Sequence, residues 1–199
     1  MNRGRLVALE GLDGSGKSTQ VPALVAALRE RGHDVVATRE PTDGEFGRRI
    51  RAMARSGERV APEEELRWFL EDRRDHVARV IAPALAAGRY VLTDRYFLST
   101  VAYQGARGLD WRSILAASET EFPIPDLALV FEIAPEQGLE RVRARFGTAA
   151  EPAFERADYL AQVGEIFAAI ERDYIVRIDA SGSEKSVREK AIVALGRLP

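Results

Sequence analysis

Gly11-Leu12-Asp13-Gly14-Ser15-Gly16-Lys17-Ser18, followed by Thr19, fits the spacing G-x-x-x-x-G-K-[ST], which suits a loop that wraps phosphate groups. Glycine is needed there because successive backbone N–H groups must curl around phosphate oxygens with no Cβ in the way. A helix beginning at Lys17 would add its positive dipole end. Lys17 supplies a point charge for the β- and γ-phosphates of a nucleoside triphosphate, and the Ser18 hydroxyl supplies a ligand for Mg2+. The competing reading is an ordinary glycine-rich turn before a helix. It is weakened by the apolar run at 6–9 just upstream. The lysine count weakens it further: of 29 basic residues only Lys17, Lys185 and Lys190 are lysine, and the other 26 are arginine.

A second acidic group stands at the end of another apolar run, Tyr90-Val91-Leu92-Thr93-Asp94. An aspartate closing a strand beside a phosphate loop can hold magnesium or its water shell, although such a residue is often only a solvated turn.

These residues need a sheet to position them. The short β-rich runs 6–9, 35–37, 90–92, 127–131 and 175–178 alternate with longer helical patterns, which predicts an α/β fold with a parallel sheet. Helices are expected over 17–31, 46–55, 62–87, 98–106, 111–119, 135–145, 155–172 and 183–195. Residues 147–153 combine Gly, Pro and small side chains between two helices, and the stretch of about 141–156 reads as a lid. On the helix at 62–87, Leu66, Leu70, Val77, Val80 and Ile81 form an expected core stripe. A length of 199 residues with 46% hydrophobic and 30% charged suits one domain over 1–199.

Composition narrows the function. The formal net charge of −2 offers no broad basic field for nucleic acid or an anionic membrane, so phosphate recognition is expected to be local. There is no cysteine, and the only histidines, His33 and His76, are expected to be solvated; a disulfide or a zinc site is not expected. The run at 6–9 is interrupted by Glu10 and Gly11, which speaks against a signal peptide or spanning helix and for a cytoplasmic protein.

The ungapped segment from Asp94-Arg95-Tyr96 through Ser99-Thr100-Val101-Ala102-Tyr103-Gln104-Gly105 to Arg107-Gly108-Leu109 closely resembles the signature of bacterial thymidylate kinases. So do the stretch from Glu10 to Thr19, Thr38-Arg39-Glu40-Pro41, Pro125-Asp126-Leu127 and Asp179-Ala180-Ser181-Gly182. The resemblance spans nearly the whole chain. It implies a P-loop NTPase three-layer sandwich with a five-stranded parallel sheet wrapped by helices, a homodimer, Mg2+-ATP as donor and dTMP as acceptor. By the same resemblance Arg39 and Arg95 hold the acceptor phosphate, and Asp13 lies near the sugar 3′-hydroxyl. Ser99, Thr100 and Gln104 lie along the base, and Tyr103 crowds the 2′ position.

The residue pattern supports part of this independently. Phe69 and Arg73 are an i, i+4 pair, so an aromatic ring for stacking and a donor for a carbonyl such as thymine O4 share one helix face. Arg74 is the rival for Arg73. Transfer between two anionic substrates needs alignment and charge compensation, with no general base; Lys17, Arg95 and lid arginines are assigned to electrostatic stabilisation, and Ser18 and Asp94 to magnesium. Relatives that lack an arginine in the loop carry catalytic arginines in the lid, and here the loop position is Gly14. If 135–145 is helical, Arg141 and Arg145 share a face while Arg143 points roughly 200° away. Arg145 is the first choice, Arg141 the second, and Arg156 the residue to test next. A guanine-reading switch is disfavoured because Asn2 is the only asparagine, leaving no N-K-x-D. A deoxynucleoside kinase would use Asp13 or Glu10 as a base, and the segment 94–105 fits it less well.

Overall fold

The computed structural model describes residues 3–146 and 157–198, with the side chains of Arg145 and Phe146 also outside the description. The expected lid loop at 147–153 and Arg156 lie outside the described residues, as does the Arg145 side chain. Five parallel strands, β1 (Arg5–Gly11), β2 (Val35–Arg39), β3 (Tyr90–Asp94), β4 (Leu127–Glu132) and β5 (Ile175–Asp179), form one sheet in the order β2-β3-β1-β4-β5. The connecting helices are α1 (Lys17–Glu30), α2 (Glu45–Ser56), α3 (Pro62–His76), α4 (Ala82–Ala86), α5 (Phe97–Gly105), α6 (Trp111–Glu121), α7 (Pro135–Phe146), α8 (Ala157–Ala169) and α9 (Glu184–Ala194). None of the described helices is long and apolar enough to cross a membrane.

The strand period of two sorts the core into two faces. Leu6 and Ala8 of β1 pack with Phe97, Val101, Ile114, Leu139 and Leu160. Val7 and Leu9 pack on the other side with Leu24 and Leu28 of α1 and with Val187 and Ala191 of α9. The sheet is therefore buried between two helical layers, which explains why its strands read as continuous apolar runs rather than as alternating ones.

Register fixes the functional edge. Leu9 pairs with Asp94, and Asp94 pairs with Arg39, so the carboxyl ends of β1, β3 and β2 end level with one another. Gly11, Arg95 and Glu40 then leave the sheet side by side, at the place where the strand order reverses and open α/β sheets bind ligands.

The expected helix at 62–87 is three pieces: α3, a π-helical turn over Val77–Ile81, and α4. Pro83 accounts for the break, since its ring lacks an N–H and crowds the carbonyl of Arg79 in a regular helix. The core stripe differs too. Ile81 is buried, Leu66, Leu70 and Val77 are half-buried against the core, and Val80 lies along an open groove. The most buried side chains of α3 are charged or polar: Glu65, Asp72, Arg73 and His76. Each finds a partner inside, which apolar periodicity does not register. For the same reason His76 is not solvated as expected, whereas His33 keeps part of its surface open. His76 is buried between Glu40 and Thr38, and half-buried His33 stacks on Tyr90 with ring centroids 4.0 Å apart.

Candidate active site

The loop from Gly11 to Ser18 runs from the central strand into α1, whose capping residue Gly16 is left-handed with φ 87°. Two glycines are required sterically. A Cβ on Gly11 would stand 2.3 Å from the Phe131 carbonyl oxygen, and one on Gly14 would stand 2.1 Å from the Gly138 carbonyl oxygen of α7. An arginine at position 14 is thus barred by the backbone of the very helix that leads into residues 141–146. The Lys17 ammonium folds across the loop and donates to the carbonyls of Gly11 (2.9 Å) and Leu12 (2.6 Å) and to Ser15 Oγ (3.2 Å). Burial, together with the like charge of Arg95, lowers its pKa to about 8 against the pull of Asp13, Asp94 and Glu10.

Asp94 comes level with the loop. Ser18 Oγ donates to Asp94 Oδ2 at 2.5 Å, and Asp94 Oδ1 is buried with no partner. Thr19, like Ser18, is exposed at the start of α1. Arg95, next along, is the only non-glycine residue with positive φ (73°) among the described residues. Its strained backbone is held from both sides: its N–H donates to the Leu9 carbonyl at 2.9 Å, its carbonyl accepts from Thr93 Oγ1 at 2.8 Å, and the following Tyr96 N–H donates to Glu10 Oε1 at 3.0 Å. That conformation points the guanidinium back over the loop. Nη2 donates to Asp13 Oδ1 at 2.6 Å, Nη1 donates to Ser99 Oγ at 2.9 Å, and the group lies 5.2 Å from the centre of the Tyr103 ring.

Tyr103 closes the ring of contacts. Its hydroxyl donates to Asp13 Oδ2 at 2.9 Å and accepts from the Asp13 N–H at 3.1 Å. Desolvation pushes the Asp13 carboxyl up, but Arg95 and Lys17 outweigh it and hold Asp13 below the usual range. Burial and the adjacent Asp13 charge push the Tyr103 phenol well up, so it stays a donor at neutral pH. Glu10 is fully buried beneath this cluster, accepting from Tyr96 N–H and from Ser99 Oγ. Burial raises its pKa to about 7 in spite of Ser99, Arg95 and Arg73.

Two cavities meet at Asp13 and Arg95. One, of about 540 Å³, is lined by the loop from Asp13 to Thr19, by Arg141 and Val142, and by Gly182, Glu184 and Val187 at the start of α9. The other, smaller and more apolar, is lined by Phe69, Ser99, Thr100, Tyr103, Asp13 and Arg95 together with Pro41 and the α2 residues Ile50, Arg51 and Ala54. Three expected site residues lie elsewhere. Arg73 is buried behind the wall formed by Thr100, Gln104 is buried and donates to Glu65 at 2.8 Å, and exposed Arg39 pairs with Asp43 at 3.3 Å on a groove that also reaches Ser18, Asp94 and Arg95. Arg141 Nη1 donates to the Ala180 carbonyl at 3.1 Å, and α7 carries exposed Arg143 away from that face. Sequence reasoning missed the α2 wall, for which the i, i+3 spacing of Ile50 and Met53 was the available signal. It also missed the anchoring roles of Glu10, Glu40 and Glu65. A carboxylate ending an apolar strand was the available signal for Glu10.

A glycine loop entering a helix from the central parallel strand, an acidic neighbouring strand end and converging cations define a P-loop nucleotide-dependent phosphotransferase. The thymidylate kinase family profile matches residues 9–191, and the chain belongs to that family. It is 43% identical over 197 residues to the thymidylate kinase of Desulfotalea psychrophila, covering 99% of this chain and 96% of that one. Against the thymidylate kinase of Akkermansia muciniphila the identity is 44% over 193 residues, covering 97% and 92%. A probable thymidylate kinase of Archaeoglobus fulgidus is 41% identical over 185 residues, covering 93% and 91%.

Proposed function

We propose that this chain transfers the γ-phosphoryl group of ATP to dTMP, giving dTDP and ADP, with ATP in the glycine-loop cleft and dTMP in the Phe69 cavity. The observation that carries the arrangement is that Asp13 and Arg95 line both cavities, so donor and acceptor phosphates converge on one carboxylate–guanidinium pair. Phosphoryl transfer needs this convergence more than it needs a base, because the attacking phosphate oxygen is already ionised. Lys17 and Arg95 stabilise charge on the transferring group. Arg141, and Arg145 beyond it on α7, bring charge from the lid side. Arg95 holds the acceptor phosphate together with Arg39, which approaches from the neighbouring groove that Arg95 also lines, while Phe69, Ser99, Thr100 and Tyr103 enclose base and sugar, with Arg73 and Gln104 acting from behind the wall.

The donor set fits Mg2+. Asp94 has a buried oxygen with no partner beside the Ser18 hydroxyl, and no group of three or more His, Cys, Asp or Glu among the described residues offers an all-protein cage. Magnesium is commonly held in this way, by one carboxylate or hydroxyl with substrate phosphates and water. Bound there, it would neutralise charge on the β- and γ-phosphates, and Ser18 and Asp94 would hold it. The reading includes one domain, a homodimer and a cytoplasmic site of action, which the family resemblance supports, and small-molecule rather than nucleic-acid substrates, which the net charge of −2 supports.

A coupled ADP-release assay with dTMP, dUMP, dCMP, AMP and thymidine tests the assignment. We expect dTMP to be preferred, dUMP to be weaker by the roughly 1 to 3 kcal/mol of a lost methyl contact, and dCMP to be rejected more strongly. Turnover of thymidine at the rate of dTMP would instead establish a deoxynucleoside kinase.

A further inference from the structure

We propose that Glu40 and His76 are positioning residues that fix the Arg73 guanidinium for base selection, linking the base end of the acceptor cavity to the strand that carries Arg39. The inference rests on the reading of the Phe69 cavity as the dTMP site. Arg73 is 1% exposed, and its Nε and Nη2 both donate to Glu40 Oε2, at 3.0 and 2.6 Å. Nη2 also donates to Thr100 Oγ1 at 2.9 Å, and the guanidinium lies 5.2 and 5.5 Å from the ring centres of Tyr96 and Phe122. The second carboxylate oxygen, Oε1, meets His76 Nδ1 at 3.0 Å, and His76 Nε2 meets Thr38 Oγ1 at 2.7 Å. Arg73 and His76 are three apart on α3 and so share a face, while Thr38, Arg39 and Glu40 are consecutive at the end of β2.

The chain Thr38, His76, Glu40, Arg73, Thr100 crosses from β2 through α3 to α5 with every link buried or partly buried. Burial alone would push the Glu40 carboxyl up, yet Arg73 and the His76 hydrogen bond hold it below the usual carboxylate range, so an anion faces the guanidinium at neutral pH. A buried ion pair is a poor source of net stability compared with apolar packing, but it fixes geometry well. Here it fixes a group that is an obligate donor. With Nε and Nη2 committed, Nη1 is left buried and unpartnered. Thr100 Oγ1, which lines the Phe69 cavity, accepts from Nη2, so its own hydroxyl hydrogen is left for a ligand carbonyl such as O4 of thymine or uracil, in preference to the amino group of cytosine.

The test compares kcat and KM for dTMP, dCMP and ATP in E40Q, H76F, H76N, R73K and the E40Q/R73K double variant, each with a thermal melt. Loss of a charge-assisted contact should raise the dTMP KM about tenfold in E40Q and narrow the dTMP-to-dCMP preference by a similar factor. KM for ATP should stay within about twofold, a split that general loosening would not produce. H76F should move the same way by less, and H76N, whose amide can take the place of Nδ1, should recover most of it. The double variant should be no worse than R73K, because Glu40 acts through Arg73. A wild-type preference in E40Q and H76F, with R73K impaired, would overturn the positioning role and leave the base pocket intact. A wild-type preference in R73K would overturn the base pocket itself. If E40Q fails to fold, H76F and H76N decide: identical preferences in these two and the wild type refute the proposal.

Discussion

Replacing Glu10 by glutamine isolates the energetic consequence of placing a carboxyl group, fully buried, beneath the cluster of Asp13, Arg95 and Tyr103. Glutamine keeps the shape: its Oε1 can accept from Tyr96 N–H and its amide can donate to Ser99 Oγ, replacing the two contacts Glu10 makes. What is lost is titration. The folded protein holds the Glu10 proton up to about pH 7, against 4.5 for an ordinary glutamate, so between those values the folded state binds more protons than the unfolded chain. Stability must therefore fall as pH rises through that window. With these two pKa values the stability lost relative to a side chain that does not titrate is about 1 kcal/mol near pH 5 and about 3 kcal/mol near pH 8, each pKa unit being worth about 1.4 kcal/mol. Asp13 and Glu40, whose pKa values are depressed, contribute in the opposite sense and at lower pH, and both remain in the variant. Urea unfolding of wild type and E10Q should then give a difference that grows by roughly 2 to 3 kcal/mol in favour of the variant from pH 5 to pH 8. Parallel pH profiles would show that Glu10 is ionised throughout, and that burial does not dominate its environment.

Other outcomes follow from the geometry. Gly14→Ala would set a Cβ against the Gly138 carbonyl at a left-handed position, so we expect a loss of about 1 to 3 kcal/mol in a thermal melt and a higher KM for ATP; unchanged values would mean that α7 does not rest on the loop as described. Tyr103→Ala should narrow the preference for dTMP over ribothymidine monophosphate by opening space at the sugar, whereas an unchanged ratio would place sugar selection elsewhere. Arg141→Ala should lower kcat on the order of a hundredfold or more with little change in dTMP KM, and Arg143→Ala should be mild, because α7 turns residue 143 off the cleft; equal effects would refute the facial argument.

The phosphate loop, the parallel α/β fold and the pairing of a strand-end aspartate with an arginine at 94 and 95 were all legible in the chain as written. These features are local: glycine spacing dictates backbone conformation, and apolar runs of strand length dictate a sheet covered on both faces. The family match extended this to substrates. Side chains that look alike in the chain are told apart by packing. Arg73 and Arg74 are adjacent and identical in type, yet the helix phase sends one inward to Glu40 and the other outward to Glu71 and Glu121. His76 and Gln104 are polar residues that carry no signal of a partner as written, and both are buried because Glu40 and Glu65 meet them from distant segments. The close approach of Gly14 to Gly138 joins two turns of chain separated by most of the sheet. Partnership of charges and contact of backbones depend on register, crossing angle and burial, which arise only when the strands have ordered themselves and the helices have packed across them.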